Sequence, residues 1–219
     1  MHWTEYLPAL FKGAQITVVL ALSSMAIGTL LAFAAGIARF AGGPILSTIA
    51  VIYIEIFRGT SLLVQLFWLY YALPLIGISF DPLTTGIMGL GLNIGAYGAE
   101  VVRGALKSVP EAQHEAARAL NFSRGHTLFH IVLPQAVVEM MPAFGNLAIH
   151  NLKDTALASL IAISDLTFQA QRLRNLTLDN VTIYSLTLLG YFAMALVLAS
   201  AIRWLERRLK RQTMAGGFA

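Results

Sequence analysis

The sequence predicts an all-α membrane protein: five transmembrane helices, with a small helix-turn-helix projecting between the third and the fourth. Three observations carry that expectation. Hydrophobic residues make up 57% of the 219 residues and charged residues 12%, with a mean hydropathy of +0.70; a soluble domain needs about twice that charge on its surface. The charges are gathered into short intervals between long uncharged runs, and basic residues outnumber acidic ones by 4. No Cys is present, which excludes disulfides, thiolate metal sites and a cysteine nucleophile.

A spanning helix needs about 20 largely apolar residues, so the elements follow from the intervals between charges. Residues 13–38, uncharged between Lys12 and Arg39, form the first expected span. The first charges, Glu5 and Lys12, precede that run without a small-residue cleavage pattern, which reads as an uncleaved span rather than a signal peptide. The apolar run 40–54 is too short to cross and opens Gly42-Gly43-Pro44, so it is read as an interfacial lead into a second span over 59–80. Residues 82–99, continuing to about Gly104, give the third span. The fourth, about 132–151, carries Glu139, Pro134 and Pro142, and the fifth is the uncharged run 180–202. The whole of 1–219 is read as one membrane domain.

Basic residues in short loops set orientation. With the N-terminus outside, the cytoplasmic side collects Arg39, Arg103, Lys107, Arg118, Arg124, Arg203, Arg207, Arg208, Lys210 and Arg211. The outer side holds only Lys12, Lys153, Arg172 and Arg174. The expectation is therefore N-out and C-in. The basic pI then reflects an anionic leaflet rather than nucleic acid.

The segment between the third and fourth spans, about 108–133, is polar and regular. Ser108 is placed to cap a first helix, with Pro110 and Glu111 in its opening turn and Ala112, Ala116, Ala117 and Ala119 giving it a thin, helix-favouring profile. Asn121 falls where the chain must turn, and Asn tolerates the left-handed conformation of a helix end. Ser123 then caps a second helix that runs to Leu133-Pro134. Glu115 and Arg118 stand three apart as a possible ion pair.

In this segment Glu115-Ala116-Ala117 and Ile131-Val132-Leu133-Pro134 match, in type and spacing, a motif of the permease subunits of ABC importers, with Asn121 at the position of that motif's Gly. The resemblance covers nearly the whole chain. Phe57 to Gln65, Ala96 to Gly104 and Lys153 to Leu157 look like the polar-amino-acid branch of that family. Ile52 to Glu55, the Glu115-to-Asn121 stretch and Ser164 to Gln171 look most like the ectoine and hydroxyectoine permeases. The resemblance implies a type I importer architecture in the bacterial cytoplasmic membrane. It implies a second permease, identical or homologous, two cytoplasmic ABC ATPase subunits and an extracytoplasmic solute-binding protein. It also implies that Glu111, Glu115, Ala116, Ala117, Arg118, Leu120, Asn121, Leu133 and Pro134 couple the permease to its ATPase. This chain has no Gly-x-x-x-x-Gly-Lys-Ser/Thr loop, so ATP and Mg are expected on the partner, with no cofactor here.

Ionisable groups at membrane depth are functional candidates by default. Lys153, Asp154 and Thr155 precede an apolar run of residues 156–163 that is too short to cross, and they suit either the opposite charges of a zwitterionic solute or a structural pairing. Gln65 and Asn93, polar and at mid-span, serve either a solute carboxylate or interhelical hydrogen bonds. Arg58 and Glu100 are read as a helix-packing pair, and Gly91 and Gly95, four apart, as a close helix crossing. The five His residues share no metal-ligand spacing, and no nucleophilic triad or paired catalytic carboxylates are found. The competing functional class is an ATP-independent secondary transporter or channel, which would need an inverted repeat or an ion relay; none is seen.

Overall fold

The computed structural model describes residues 3–215, with side chains described to Arg208. His2 and the side chains of Lys210 and Arg211, the last two counted above for orientation, lie outside the described residues. Among the described residues every regular element is helical. The order is α1 (Leu7–Ala41), α2 (Pro44–Gly59), α3 (Leu62–Phe67), α4 (Pro82–Ser108), α5 (Glu111–Ala119), α6 (Arg124–His126), α7 (Leu133–Asp154), α8 (Leu166–Thr177) and α9 (Asn180–Ala215).

Helices α1 and α4 form the central pair. On α1 the buried positions are mostly small: Gly13, Thr17, Ala21, Ser24, Gly28, Ala32 and Gly36 recur at spacings of three or four. That stripe lets the backbones approach, and α4 answers it with glycines. A Cβ added at Gly95 would lie 2.8 Å from Leu31 Cβ and 3.2 Å from the Gly28 carbonyl, and one at Gly91 would lie 3.2 Å from Ile27 Cγ2. Three apolar clusters succeed one another along α1. They centre on Leu10 with Leu166 and Ile183, on Leu20 with Leu66 and Leu90, and on Ala32 with Val102 and Met140.

Three helical stretches are long and apolar enough to cross a membrane: Leu7–Ala41, Arg124–Ile161 and Asn180–Arg208. The expected second span is not one straight helix. Residues 44–59, expected as an interfacial lead, are themselves a helix, and the chain turns by 104° before Leu62–Ile76. The backbone is extended at Thr60 and Ser61, so the break falls at the start of the expected span, and the lead before it is a full helix of 16 residues. Helix α4 is long enough to cross, but neighbours rather than lipid cover most of it, and its glycines dilute its hydropathy.

The projecting segment also differs in detail. Ser108 ends α4, and Pro110 occupies the cap position of α5 instead. Ser123 caps α6 by accepting from the His126 amide at 3.3 Å. α6 runs through a π-helical stretch, Thr127–Val132, directly into α7, so the second helix of the hairpin and the next span are continuous.

Candidate functional site

Polar side chains that packing alone does not require gather at the break between α2 and α3, at mid-length of the bundle, and on the projection α5, among other places. At the break, the carbonyls of α2's last turn lose their helical partners. Gln65 Nε2 donates to the Phe57 carbonyl at 2.9 Å and to Thr60 Oγ1 at 2.7 Å. Asn93 Nδ2, from α4, donates to the same Phe57 carbonyl and to Gln65 Oε1, both at 3.1 Å. Both amides are buried, so the structure brings Gln65 and Asn93 together as the brace of the broken span. Tyr53 adds a third tie, donating to the Leu92 carbonyl at 2.7 Å.

Lys153 and Asp154 end α7, Lys153 exposed and Asp154 half-buried. Thr155 is fully buried and its hydroxyl donates to the Leu152 carbonyl at 2.7 Å, at the end of α7. Two residues before this charged pair, Asn151 donates to the Ala21 carbonyl and to Ser24 Oγ, both at 2.9 Å, which fixes the level of α7 against the middle of α1. On the opposite side of α7, Asn146, His150 and Lys153 are exposed at helical spacing and form a polar stripe. The sequence carried that signal as an i, i+4, i+7 pattern, obscured by the apolar residues between.

The expected Arg58–Glu100 pair is not formed. Glu100 pairs with Arg39 of α1 and with Arg103, the latter at 2.7 Å. The Arg58 guanidinium instead lies over the Tyr97 ring, 5.4 Å from its centroid. Hydropathy spacing put Arg58 and Glu100 at helix ends on the same side, whereas the break places Arg58 near the middle of α4.

In the projection, Arg118 pairs with Glu111 at 2.9 Å rather than with Glu115. Asn121 takes φ 56°, the left-handed turn between α5 and α6. Ala117 is buried at 1% exposure and faces the bundle, so it is not part of an outer docking face; Glu115, Ala116, Ala119 and Leu120 are exposed. Leu133 is half-buried and Pro134 exposed in the first turn of α7. Behind α5 a cavity of about 640 Å³ is lined by Phe40, Lys107, Arg118, Phe122 and Arg124 among others.

A further polar cluster escaped the sequence reading. Asp165 caps α8 by accepting from the Phe168 amide at 2.9 Å, and its second oxygen accepts from the Tyr191 hydroxyl at 3.2 Å. Asp165 is fully buried in the connection between the apolar stretch ending at Ile161 and α8. Burial pushes its carboxyl up to about 6, against hydrogen bonds that favour the charged form.

Long apolar helices, an apolar helix pair bent by 104° and a polar helical projection between two of the long helices are parts that suit a membrane transport component. The chain belongs to the family of binding-protein-dependent transport system inner membrane components, matching it over residues 24–211. It is 49% identical over 217 residues to a probable amino-acid ABC transporter permease protein, y4tF, of Sinorhizobium fredii (strain NBRC 101917 / NGR234), covering 96% of this chain and 91% of that one. It is 36% identical over 206 residues to the glutamine transport system permease protein GlnP of Escherichia coli (strain K12), covering 93% and 94%. Among solved structures, the crystal structure of an amino acid ABC transporter with histidines superimposes with a TM-score of 0.87 at 32% identity, covering 94% of this chain and 96% of that one. The fold is thus the all-helical type I ABC permease fold, and the chain is a permease subunit, a non-catalytic membrane component.

Proposed function

We propose that this chain is the permease of an ATP-driven importer for polar amino acids in the bacterial cytoplasmic membrane. The observation that carries the reading is α5: nine residues standing between α4 and α7, with Glu115, Ala116, Ala119 and Leu120 exposed. A thin polar helix rigidly joined to two spans suits the transmission of movement from a cytoplasmic ATPase. A secondary transporter has no use for it.

In this reading residues 1–219 are one permease domain with five crossings, α2 and α3 together supplying the broken one. The N-terminus is outside, the C-terminus inside, and the projection, residues 108–133, is cytoplasmic. A second permease, identical or homologous, completes the path, two ATPase subunits bind ATP and Mg and dock on the two projections, and an extracytoplasmic binding protein delivers the solute. Of the residues expected along the path, Lys153 and Asp154 remain candidates for solute contact, while Gln65, Asn93 and Thr155 act through the scaffold. The relatives described above are named for amino acids and glutamine, which favours a polar amino acid as cargo. The short segments that resemble ectoine permeases keep ectoine as the competing cargo. The test is uptake of labelled glutamine, histidine, arginine and ectoine into proteoliposomes holding the complete importer. ATP-dependent uptake of an amino acid supports the reading; uptake without any ATPase subunit overturns it, and uptake of ectoine alone replaces the cargo.

A further inference from the structure

We infer that Glu55, Arg58 and Tyr97 form a charged solute station halfway across the membrane, with Arg58 receiving the carboxylate of the solute and Glu55 its cationic group. This deepens the importer reading and rests on it.

Depth comes first. The Phe57 carbonyl is hydrogen-bonded by Asn93, and Asn93 lies roughly 17 Å from the Pro82 end of α4 and roughly 22 Å from its Ser108 end at 1.5 Å per residue. Glu55 and Arg58, on either side of Phe57, therefore sit near the centre of the bundle. Both are exposed in the single chain, whereas Ile54 beside them is fully buried. Tyr97 is exposed too, at 41%, although every other residue from Thr84 to Arg103 is buried or half-buried.

Charged side chains at this depth do not face lipid. The contrast with α9 is direct, since its exposed side chains include Val181, Leu188, Leu189, Phe192 and Val197, as a lipid face requires. Among the described residues the ion pairs are Arg39–Glu100, Arg103–Glu100 and Arg118–Glu111, so neither Glu55 nor Arg58 is neutralised within the chain. The flank therefore meets water or a partner. The extended backbone beside it favours water: Gly59, Thr60 and Ser61 are exposed, and irregular backbone at membrane depth is tolerated where it lines an aqueous cavity.

The chemistry fits one class of ligand. The Arg58 guanidinium carbon lies over the Tyr97 ring, and among the described residues none of its N–H groups is taken up by a hydrogen bond or ion pair; a guanidinium so placed binds a carboxylate through two parallel hydrogen bonds. Glu55 is three residues earlier, on the same side of α2, and so presents the opposite charge beside it. An α-amino acid carries both charges on adjacent atoms, so one solute reaches both side chains.

The natural sequence has no Cys, so Arg58→Cys, Glu55→Cys and the lipid-side control Leu189→Cys each introduce a single thiol. In membranes holding the complete importer, cysteines at 55 and 58 are expected to react with a charged methanethiosulfonate at least about tenfold faster than one at 189, because the thiolate forms only where water reaches it. Transported amino acid is expected to slow that reaction. In uptake, Arg58→Gln is expected to cost about tenfold in the half-saturating concentration of glutamine and to narrow discrimination against glutaminamide, whose carboxylate is replaced by an amide. Arg58→Lys should recover part of the loss. If both cysteines react as slowly as the control, or if Arg58→Gln leaves the discrimination ratio unchanged, the inference is overturned while the importer reading stands. A parent complex that transports no carboxylate-bearing solute overturns both.

Discussion

Ser108, the last residue of α4, donates its hydroxyl to Glu139 Oε2 of α7 at 2.5 Å, tying together the two helices that carry the projection. Ser108→Ala and Glu139→Gln each weaken a tie worth about 0.5–1.5 kcal/mol. Each variant is expected to lower solute transported per ATP hydrolysed by about two- to fivefold without loss of assembly. The double variant should be no worse than either single one; additive losses would show that the two residues act separately.

Asn121 holds the left-handed turn at φ 56°. Asn121→Gly is expected to leave the melting temperature of the detergent-purified protein unchanged or slightly raised. Asn121→Val should cost about 1–2 kcal/mol, because a β-branched residue resists positive φ. Equal melting of the two variants would refute the assignment.

Ala117 and Ala116 are neighbours with opposite surroundings, one buried and one exposed. Ala117→Leu is expected to overpack the seam under α5 and cost about 1–3 kcal/mol in stability. Ala116→Leu should leave melting alone and weaken co-purification of the ATPase. The reverse pattern would place the docking face on the wrong side of α5.

Gln65→Leu or Asn93→Leu removes part of a shared brace on the Phe57 carbonyl. Thermal unfolding of both single variants and the double is expected to give a coupling energy of about 0.6–1.7 kcal/mol, the range for polar contacts between membrane helices. A value near zero would mean that the two amides act independently.

Burial pushes the Asp165 carboxyl up to about 6, above the ordinary carboxylate range. A raised carboxyl pKa favours the folded state at low pH: its contribution is fully present below about 4 and lost as pH rises through about 6, by at most about 3 kcal/mol. Asp165→Asn should therefore melt higher than the parent at pH 7.5, with the gap closing toward pH 4. A gap that does not change with pH would show that capping or packing, rather than ionisation, sets the difference.

What the sequence made legible was whatever depends on runs and local turns. The uncharged intervals marked α1 and α9 because lipid-facing helices must be apolar along their length, and Asn121 and Ser123 marked the hairpin because their backbone roles are local. The two runs on either side of Thr60–Ser61 were legible as separate, but the sharp turn between them was not, because hydropathy carries no angle. Burial could not be assigned from composition alone: alanines at 116 and 117 look identical in sequence and are separated only by which side of α5 meets the bundle. Arg58 and Glu100 are far apart in function for a related reason, since pairing depends on crossing geometry that spacing does not encode. Asp165 and Tyr191 meet across 26 residues, and nothing local announces such a contact.

The amide brace at Phe57 has a mechanical consequence. One carbonyl of α2 is gripped from α3 and from α4 at once, so the two limbs of the elbow and the neighbouring shaft move as a rigid bracket. In the importer reading proposed above, movement of the projection is expected to be taken up at joints outside that bracket. Outside it, Ala162 and Leu178, both with positive φ, flank α8, whose first turn is held to α9 by the Tyr191 hydroxyl on Asp165.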